Sequence, residues 1–130
     1  MAHTLTFLAR GAEVDFHGSV AGAEIIAVNE DIVAHTFEGP LRFVLVDFSA
    51  TTACDITSRD VERNSEIDIA YAATHPAVDL AVAAPVDLLF NLSRLYQGLM
   101  HRTNIASIVV RTRREAVEWL RQRGHTEIVS

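Results

Sequence analysis

The chain has 130 residues, of which 49% are hydrophobic and 22% are charged, and this balance is typical of one soluble globular domain. The composition excludes a disordered chain, and no apolar run reaches the roughly 18 residues that a membrane-spanning helix needs. The formal net charge of −6 argues against a general affinity for nucleic acid. Cys54 is the only cysteine, which excludes an internal disulfide.

The N-terminal segment M-A-H-T-L-T-F-L-A-R does not have the features of a secretory signal peptide. Such a peptide needs a basic start followed by a long apolar stretch, and neither is present. We therefore expect a cytoplasmic protein. We expect a single domain over residues 1–130, with its core between about residues 4 and 123.

The first third of the chain predicts a β-hairpin and then a helix. Apolar and polar residues alternate around residues 5–7 and 14–16, with Arg10-Gly11 between them, as in a hairpin with a short turn. Residues 19–35 carry an apolar stripe at helical spacing and predict the first helix. Gly39-Pro40 ends this unit.

The middle of the chain predicts a buried strand and a capped helix. Residues 41–48 are almost continuously apolar, which is typical of a strand covered on both faces. Residues 57–74 predict the second helix, because Thr57 with Asp60 three residues later resembles a capping box. Residues 80–84 predict a further short buried strand.

The last third predicts two helices around one strand. Pro85 suits the first turn of a third helix, whose apolar residues recur at helical spacing as far as Met100. Residues 105–110 predict the last strand, and Thr112 begins a fourth helix that Gly124 ends. The complete order is β-β-α-β-α-β-α-β-α. It predicts an α/β fold with a mostly parallel sheet and an antiparallel N-terminal hairpin at its edge.

Polar residues follow the predicted strands, where an open parallel sheet places its binding sites. A protein partner or a small ligand would then contact this edge through Asp47, Ser49, Thr57, Ser58, Asp87 and Arg111. The alternative is purely structural, because hydroxyls are favoured at helix caps and turns whatever the function. On that interpretation Thr57 only caps a helix and Ser49 only closes a turn.

The third and fourth helices carry more apolar bulk than one small sheet must cover. This surplus predicts either a pocket between these two helices, for a small-molecule or lipid-like ligand, or a surface for a second subunit. Arg94 could bind a carboxylate or phosphate there, or could pair with an acid at the surface. The predicted pocket residues are Phe90, Tyr96, Met100, Trp119 and Arg94.

The motifs of the common catalytic and cofactor sites are absent from the sequence. It contains no G-x-S-x-G nucleophile elbow and no glycine-rich phosphate loop. The six histidines are scattered, and none form an i, i+4 pair suited to a metal ion. We therefore predict no catalytic residue, no metal and no cofactor.

Three segments resemble a known family: V-L-V-D-F-S (44–49), A-V-A-A-P-V-D-L-L-F-N-L-S-R-L-Y (81–96) and R-T-R-R-E-A-V-E-W-L (111–120). Together they are similar to a bacterial family of small STAS-type proteins. These are also described as SpoIIAA-like, after the anti-sigma-factor antagonists, and are related in fold to SEC14 lipid-transfer domains. The resemblance covers roughly residues 15–122.

The resemblance implies a near-sequential sheet, no cofactor and a role in binding. It also implies a phosphorylatable hydroxyl just before the second helix, which here would be Thr57 or Ser58, although the glycine of the family's signature is absent. We therefore expect a non-enzymatic module that binds a protein partner and forms a homodimer. The alternative is a protein that binds a small-molecule or lipid-like ligand between the third and fourth helices.

Overall fold

The computed structural model describes residues 3–128, so the first two and last two residues of the predicted domain lie outside the described residues. The order of elements agrees with the prediction. The elements are β1 (His3–Phe7), β2 (Gly11–Ala21), α1 (Gly22–Ala34), β3 (Phe43–Asp55), α2 (Ser58–Ala72), β4 (Val78–Ala83), α3 (Asp87–Leu99), β5 (Ile105–Val110) and α4 (Arg113–Gln122). No helix within residues 3–128 is long and apolar enough to cross a membrane.

The strands form one mixed sheet in the order β1-β2-β3-β4-β5. β1 pairs with β2 antiparallel, and each later pair is parallel, which confirms the predicted α/β fold. α1, α2 and α3 each connect two parallel strands, and all three connections move in the same direction along the sheet. Right-handed crossovers in one direction place their helices on one face. α4 follows the last strand and packs against the opposite face.

The core consists of two apolar clusters separated by the sheet. Side chains alternate along β3, so that Val44 and Phe48 face α1–α3 while Phe43 and Leu45 face α4. Ile128 is 1% exposed and belongs to the cluster beneath α4. The core therefore extends beyond the limit near residue 123 that we expected from the sequence.

Two strands are longer than the sequence predicted. β2 continues to Ala21, so residues 19–21 are strand and not the start of the first helix. β3 continues from the apolar run through hydroxyl-rich residues to Asp55, and the two extensions pair with each other as far as Ala21 and Asp55. Two register shifts in this part of β3 accommodate the extra residues, as β-bulges do. Pro85 also differs from the prediction, since it precedes Val86, the N-cap of α3, and lies outside the helix.

The N-termini of α1 and α2 meet at a close contact between Gly22 and Asp60. Thr57 and Asp60 form the predicted capping box, in which the Asp60 N–H donates to the Thr57 hydroxyl (3.2 Å) and the Thr57 N–H donates to the Asp60 carboxylate (2.9 Å). A Cβ added at Gly22 would overlap this carboxylate and the Asp60 Cβ. A residue with no side chain at position 22 therefore allows Asp60 to cap α2.

Replacing Gly22 with alanine should lower the free energy of unfolding by about 1–3 kcal/mol, because the methyl group overpacks the junction and displaces Asp60. The control is Gly98→Ala in α3, where an added Cβ meets no neighbouring atom. Alanine at that helical position should raise stability by about 0.5–1 kcal/mol. Urea unfolding followed by circular dichroism measures both changes. A Gly22→Ala variant as stable as the unmodified protein would contradict this account of the junction.

Candidate functional site

The register of the parallel strands gathers polar residues at one edge of the sheet. Asp15, Asp47, Ala83 and Val110 form a continuous row across β2, β3, β4 and β5. The chain leaves β4 and β5 immediately after this row, so the residues that follow emerge at the same edge. We call this edge the rim. The structure places Asp47 in the row and Asp87 and Arg111 just beyond it.

Arg113, at the start of α4, links three carboxylates of the rim. Its guanidinium lies 2.5 Å from the Glu13 carboxylate and 3.2 Å from both the Asp15 and the Asp47 carboxylates. Thr112, the N-cap of α4, accepts a hydrogen bond from the Glu115 N–H and fixes where the helix begins. The first turn of α4 is therefore tied to β2 and β3 by a single cation.

The charges in this cluster are unequal, with three carboxylates around one guanidinium. Burial raises the pKa of Asp15 above its ordinary value of 3.8, repulsion from Glu13 adds to the effect, and Arg113 opposes it. Burial alone would lower the pKa of Arg113, but its hydrogen bond and charge interaction with Glu13 outweigh burial and raise that pKa. Arg113 therefore stays charged, and its side chain is only 29% exposed.

A second ion pair lies at the start of α3. Arg111 donates to the Asp87 carboxylate (2.7 Å) and to the Pro85 carbonyl (3.2 Å). The Arg111 guanidinium also stacks 3.9 Å above the centre of the Phe90 ring. The Asp87 side chain is 88% exposed, and that of Arg111 is 45% exposed. This pair is therefore open to a partner, whereas the Arg113 cluster is mostly covered.

The predicted hydroxyl residues are spread along the extension of β3. Ser49 is exposed, and its N–H donates to the Asp47 carboxylate (2.8 Å). Thr57 and Ser58 are also exposed but lie beyond Asp55, which is roughly 20–25 Å of strand from Asp47. The six predicted edge residues therefore form two groups, one around the row and one at the N-terminus of α2.

The two hydroxyls at the start of α2 have different surroundings. The Thr57 hydroxyl is held in the capping box by Asp60. Within residues 3–128 the Ser58 hydroxyl makes no side-chain hydrogen bond and points from the first turn of the helix. Ser58 is therefore the more available of the two to a modifying enzyme.

The predicted pocket between the third and fourth helices is wrong. α3 and α4 lie on opposite faces of the sheet: Tyr96 and Met100 pack in the cluster under α1–α3, whereas Trp119 packs in the cluster under α4. Phe90 lies beneath Arg111, and Arg94 is exposed. These five residues therefore cannot line one site. A cavity of about 140 Å³ lies instead between the sheet and α1–α3, and Tyr96 is the only one of the five that lines it.

Sequence reasoning did not identify the Arg113 cluster. Its carboxylates come from residues 13, 15 and 47, far from Arg113 along the chain. The available signal was the alternation in β2, where Glu13 and Asp15 occupy the face opposite Val14 and Phe16. Among residues 3–128, no group of three or more His, Cys, Asp or Glu side chains is arranged to hold a metal ion.

The chain matches no protein-family model and no curated protein, but its structure is similar to solved structures. The anti-sigma factor antagonist SpoIIAA in its unphosphorylated form superimposes with a TM-score of 0.58 at 13% identity, covering 95% of this chain and 100% of that one. An uncharacterised protein of the DUF3478 family from Shewanella loihica PV-4, with a SpoIIAA-like fold, gives 0.52 at 12% identity and covers 92% of both chains. The predicted SpoIIAA-like fold is therefore confirmed.

Replacing Arg113 with methionine should lower the free energy of unfolding at pH 7 by about 1–3 kcal/mol, because three carboxylates lose their shared cation. The loss should shrink as the pH falls towards 4, since Asp15, with its raised pKa, takes up a proton and no longer repels its neighbours. Urea unfolding at both pH values measures the difference. Arg114→Met is the control, because Arg114 is exposed and forms no ion pair within residues 3–128. A loss of stability independent of pH would contradict the electrostatic account.

Proposed function

We propose that this protein is a non-enzymatic, regulatory module that binds a protein partner in the cytoplasm. The partner would contact the rim around Asp87 and Arg111 and the neighbouring surface of α3. The SpoIIAA-like fold supports this proposal, because one protein with the same fold is an anti-sigma factor antagonist. The observation that carries it is the concentration of exposed apolar side chains on α3.

Six large hydrophobic side chains within residues 3–128 are markedly exposed, and four belong to α3 or its N-cap: Val86, Leu88, Leu95 and Leu99. Leu88, Leu95 and Leu99 are separated by seven and four residues, so they share one face of the helix. We call these three residues the α3 stripe. They are 50%, 39% and 39% exposed, respectively. Several large apolar side chains exposed on one helix face are typical of a site of protein association.

The exposed ion pair of Asp87 and Arg111 lies at the rim end of the α3 stripe. Protein interfaces combine an apolar centre with a polar surround, and arginine is among the residues that contribute most to binding. Arg111 is already held over Phe90 and by the Pro85 carbonyl, so little side-chain entropy would be lost on binding. The stripe and the ion pair together therefore form a suitable contact surface.

The predicted homodimer could use the same surface. A two-fold axis beside α3 would pack Leu95 and Leu99 of each copy against the other copy and remove them from water. We therefore keep the homodimer as part of the proposal, with the α3 stripe as its interface. In that case the other protein partner would contact the part of the rim that the dimer leaves open, around Ser49, together with the separate N-terminus of α2 at Ser58.

The double substitution Leu88→Glu/Leu95→Glu should weaken association through the α3 stripe, because charged side chains would oppose its burial. Sedimentation velocity over a range of concentrations measures the dimer. Affinity capture from the native host, followed by calorimetry with the purified partner, measures the other interaction. We expect the dissociation constant of the dimer, of the partner complex or of both to rise by about tenfold or more.

Ile69→Glu is the matched control, because Ile69 is 43% exposed but lies in the last turn of α2. It should leave both interactions unchanged. A monomeric protein whose partner binds the double variant and the control equally well would contradict the proposal.

Phosphorylation of Ser58 should alter the affinity of the partner by at least about threefold, because a phosphate adds about −1.5 to −2 charges at the start of α2. The helix N-terminus favours that charge, while Asp55 and Asp60 oppose it. Calorimetry with kinase-treated protein and with Ser58→Asp measures the change, and Thr126→Asp, far from the rim, is the control. Unchanged affinity in both Ser58 forms would contradict a switch at this position.

Thr57→Ala should instead lower the free energy of unfolding by about 1 kcal/mol, because α2 loses its cap.

A further inference from the structure

The cavity between the sheet and α1–α3 has a volume of about 140 Å³. Val46 and Leu80 line it from the inner strands β3 and β4, beneath the three helices. Both side chains pack against the core beneath α1–α3 and remain only partly buried. We call this space the three-helix cavity. Its walls are apolar on the sheet side.

The helical side of the three-helix cavity carries one buried carboxylate. Asp68 of α2 lines the cavity and is 9% exposed. The Tyr96 hydroxyl donates to one of its oxygens (2.5 Å), and the Asn29 amide donates to the other (2.9 Å). Asn29 also donates to Asn64 (2.8 Å). Asn29 of α1, Asn64 and Asp68 of α2, and Tyr96 of α3 therefore form a single polar network on the cavity wall.

The hydrogen-bond donors to the Asp68 carboxylate, the Tyr96 hydroxyl and the Asn29 amide, are both uncharged. Within residues 3–128 no arginine or histidine pairs with Asp68, and no buried side-chain polar atom is without a hydrogen-bond partner. A carboxylate offers about four acceptor positions, and Tyr96 and Asn29 occupy two of them. Burial raises the pKa of Asp68 above 3.8, and the hydrogen bonds from Tyr96 and Asn29 oppose that rise. Asp68 therefore retains acceptor capacity in an apolar setting.

We propose that the three-helix cavity binds a small, uncharged aromatic molecule with one N–H or O–H donor, and that Asp68 accepts its hydrogen bond. The cavity size supports this class, because an apolar protein cavity of about 150 Å³ accepts benzene. A phospholipid or a long acyl chain is much too large. The donor is required because a buried acceptor confers specificity only on a ligand that can satisfy it.

The test uses aniline and toluene, which have the same shape but differ in the donor, together with benzoate as an anion. Methyl ¹H–¹³C NMR spectra of the full chain follow each titration. Aniline should shift the methyl signals of Val28, Val46 and Val82, which line the cavity, in a saturable manner. The signals of Val117 and Leu120, in the cluster under α4, should not move. Toluene should bind about tenfold more weakly than aniline, and benzoate should not bind.

Two variants separate the apolar contribution from that of the carboxylate. Asp68→Asn should weaken aniline binding about tenfold and leave toluene binding unchanged, because it removes a charge-assisted acceptor without changing the volume. Val46→Phe should abolish the binding of both probes by filling the cavity, and Leu80→Phe serves the same purpose if the first variant does not fold. Asp87→Asn at the rim is the control and should bind both probes as the unmodified protein does.

The absence of saturable shifts with either probe would overturn the proposal. Equal binding of aniline and toluene, unchanged by Asp68→Asn, would also overturn it, because the carboxylate would then select nothing. Neither result depends on the α3 stripe, so the partner-binding proposal is tested independently.

Discussion

The backbone hydrogen bonds that pair β2, β3, β4 and β5 in parallel determine where the functional groups of this protein lie. Parallel strands leave a sheet at a common edge, so a single register row brings Asp15 and Asp47 beside the exits of β4 and β5. Arg111 and Arg113 follow β5 directly and reach Asp87 and Asp47 across that edge. A shift of one residue would turn these side chains to the other face of the sheet and separate them.

The strand order also determines which helices cover each face of the sheet. Because the crossovers advance in one direction, α1, α2 and α3 share one face, and the space between them and the strands contains the three-helix cavity. α4 alone covers the other face and packs against β3, β4 and β5. The outward side chains of β2, Glu13 and Asp15, therefore have no helix above them. Arg113 compensates for this by neutralising part of their charge.

Local sequence signals predicted most helices and strands, whereas contacts between residues far apart in the chain could be identified only from the structure. The capping residues Thr57 and Thr112 marked helix starts because their hydrogen bonds are made within three residues. The polar extension of β3 resembled a loop, because its strand character depends on pairing with the end of β2.

The prediction of a pocket between the third and fourth helices was wrong. The strand order places the crossover helices α1, α2 and α3 on one face of the sheet, and α4, which follows the last strand, is not a crossover helix. The cavity itself could not be predicted, because periodicity shows which face of a helix is apolar but not whether the space beneath it is filled.

α2 connects the three-helix cavity with the proposed phosphorylation site at Ser58. Its N-terminus carries Ser58, which belongs to the group of predicted edge residues beyond β3, and Asp60, which caps it, also lines the end of the three-helix cavity. Ten residues further along the same helix from Ser58, Asp68 forms the polar wall of that cavity. A ligand that changes the position of α2 would therefore change the surroundings of Ser58 at the N-terminus of that helix. Thermodynamic linkage makes this effect reciprocal, so a partner or a phosphate that holds the N-terminus of α2 would change the affinity of the cavity by the same factor.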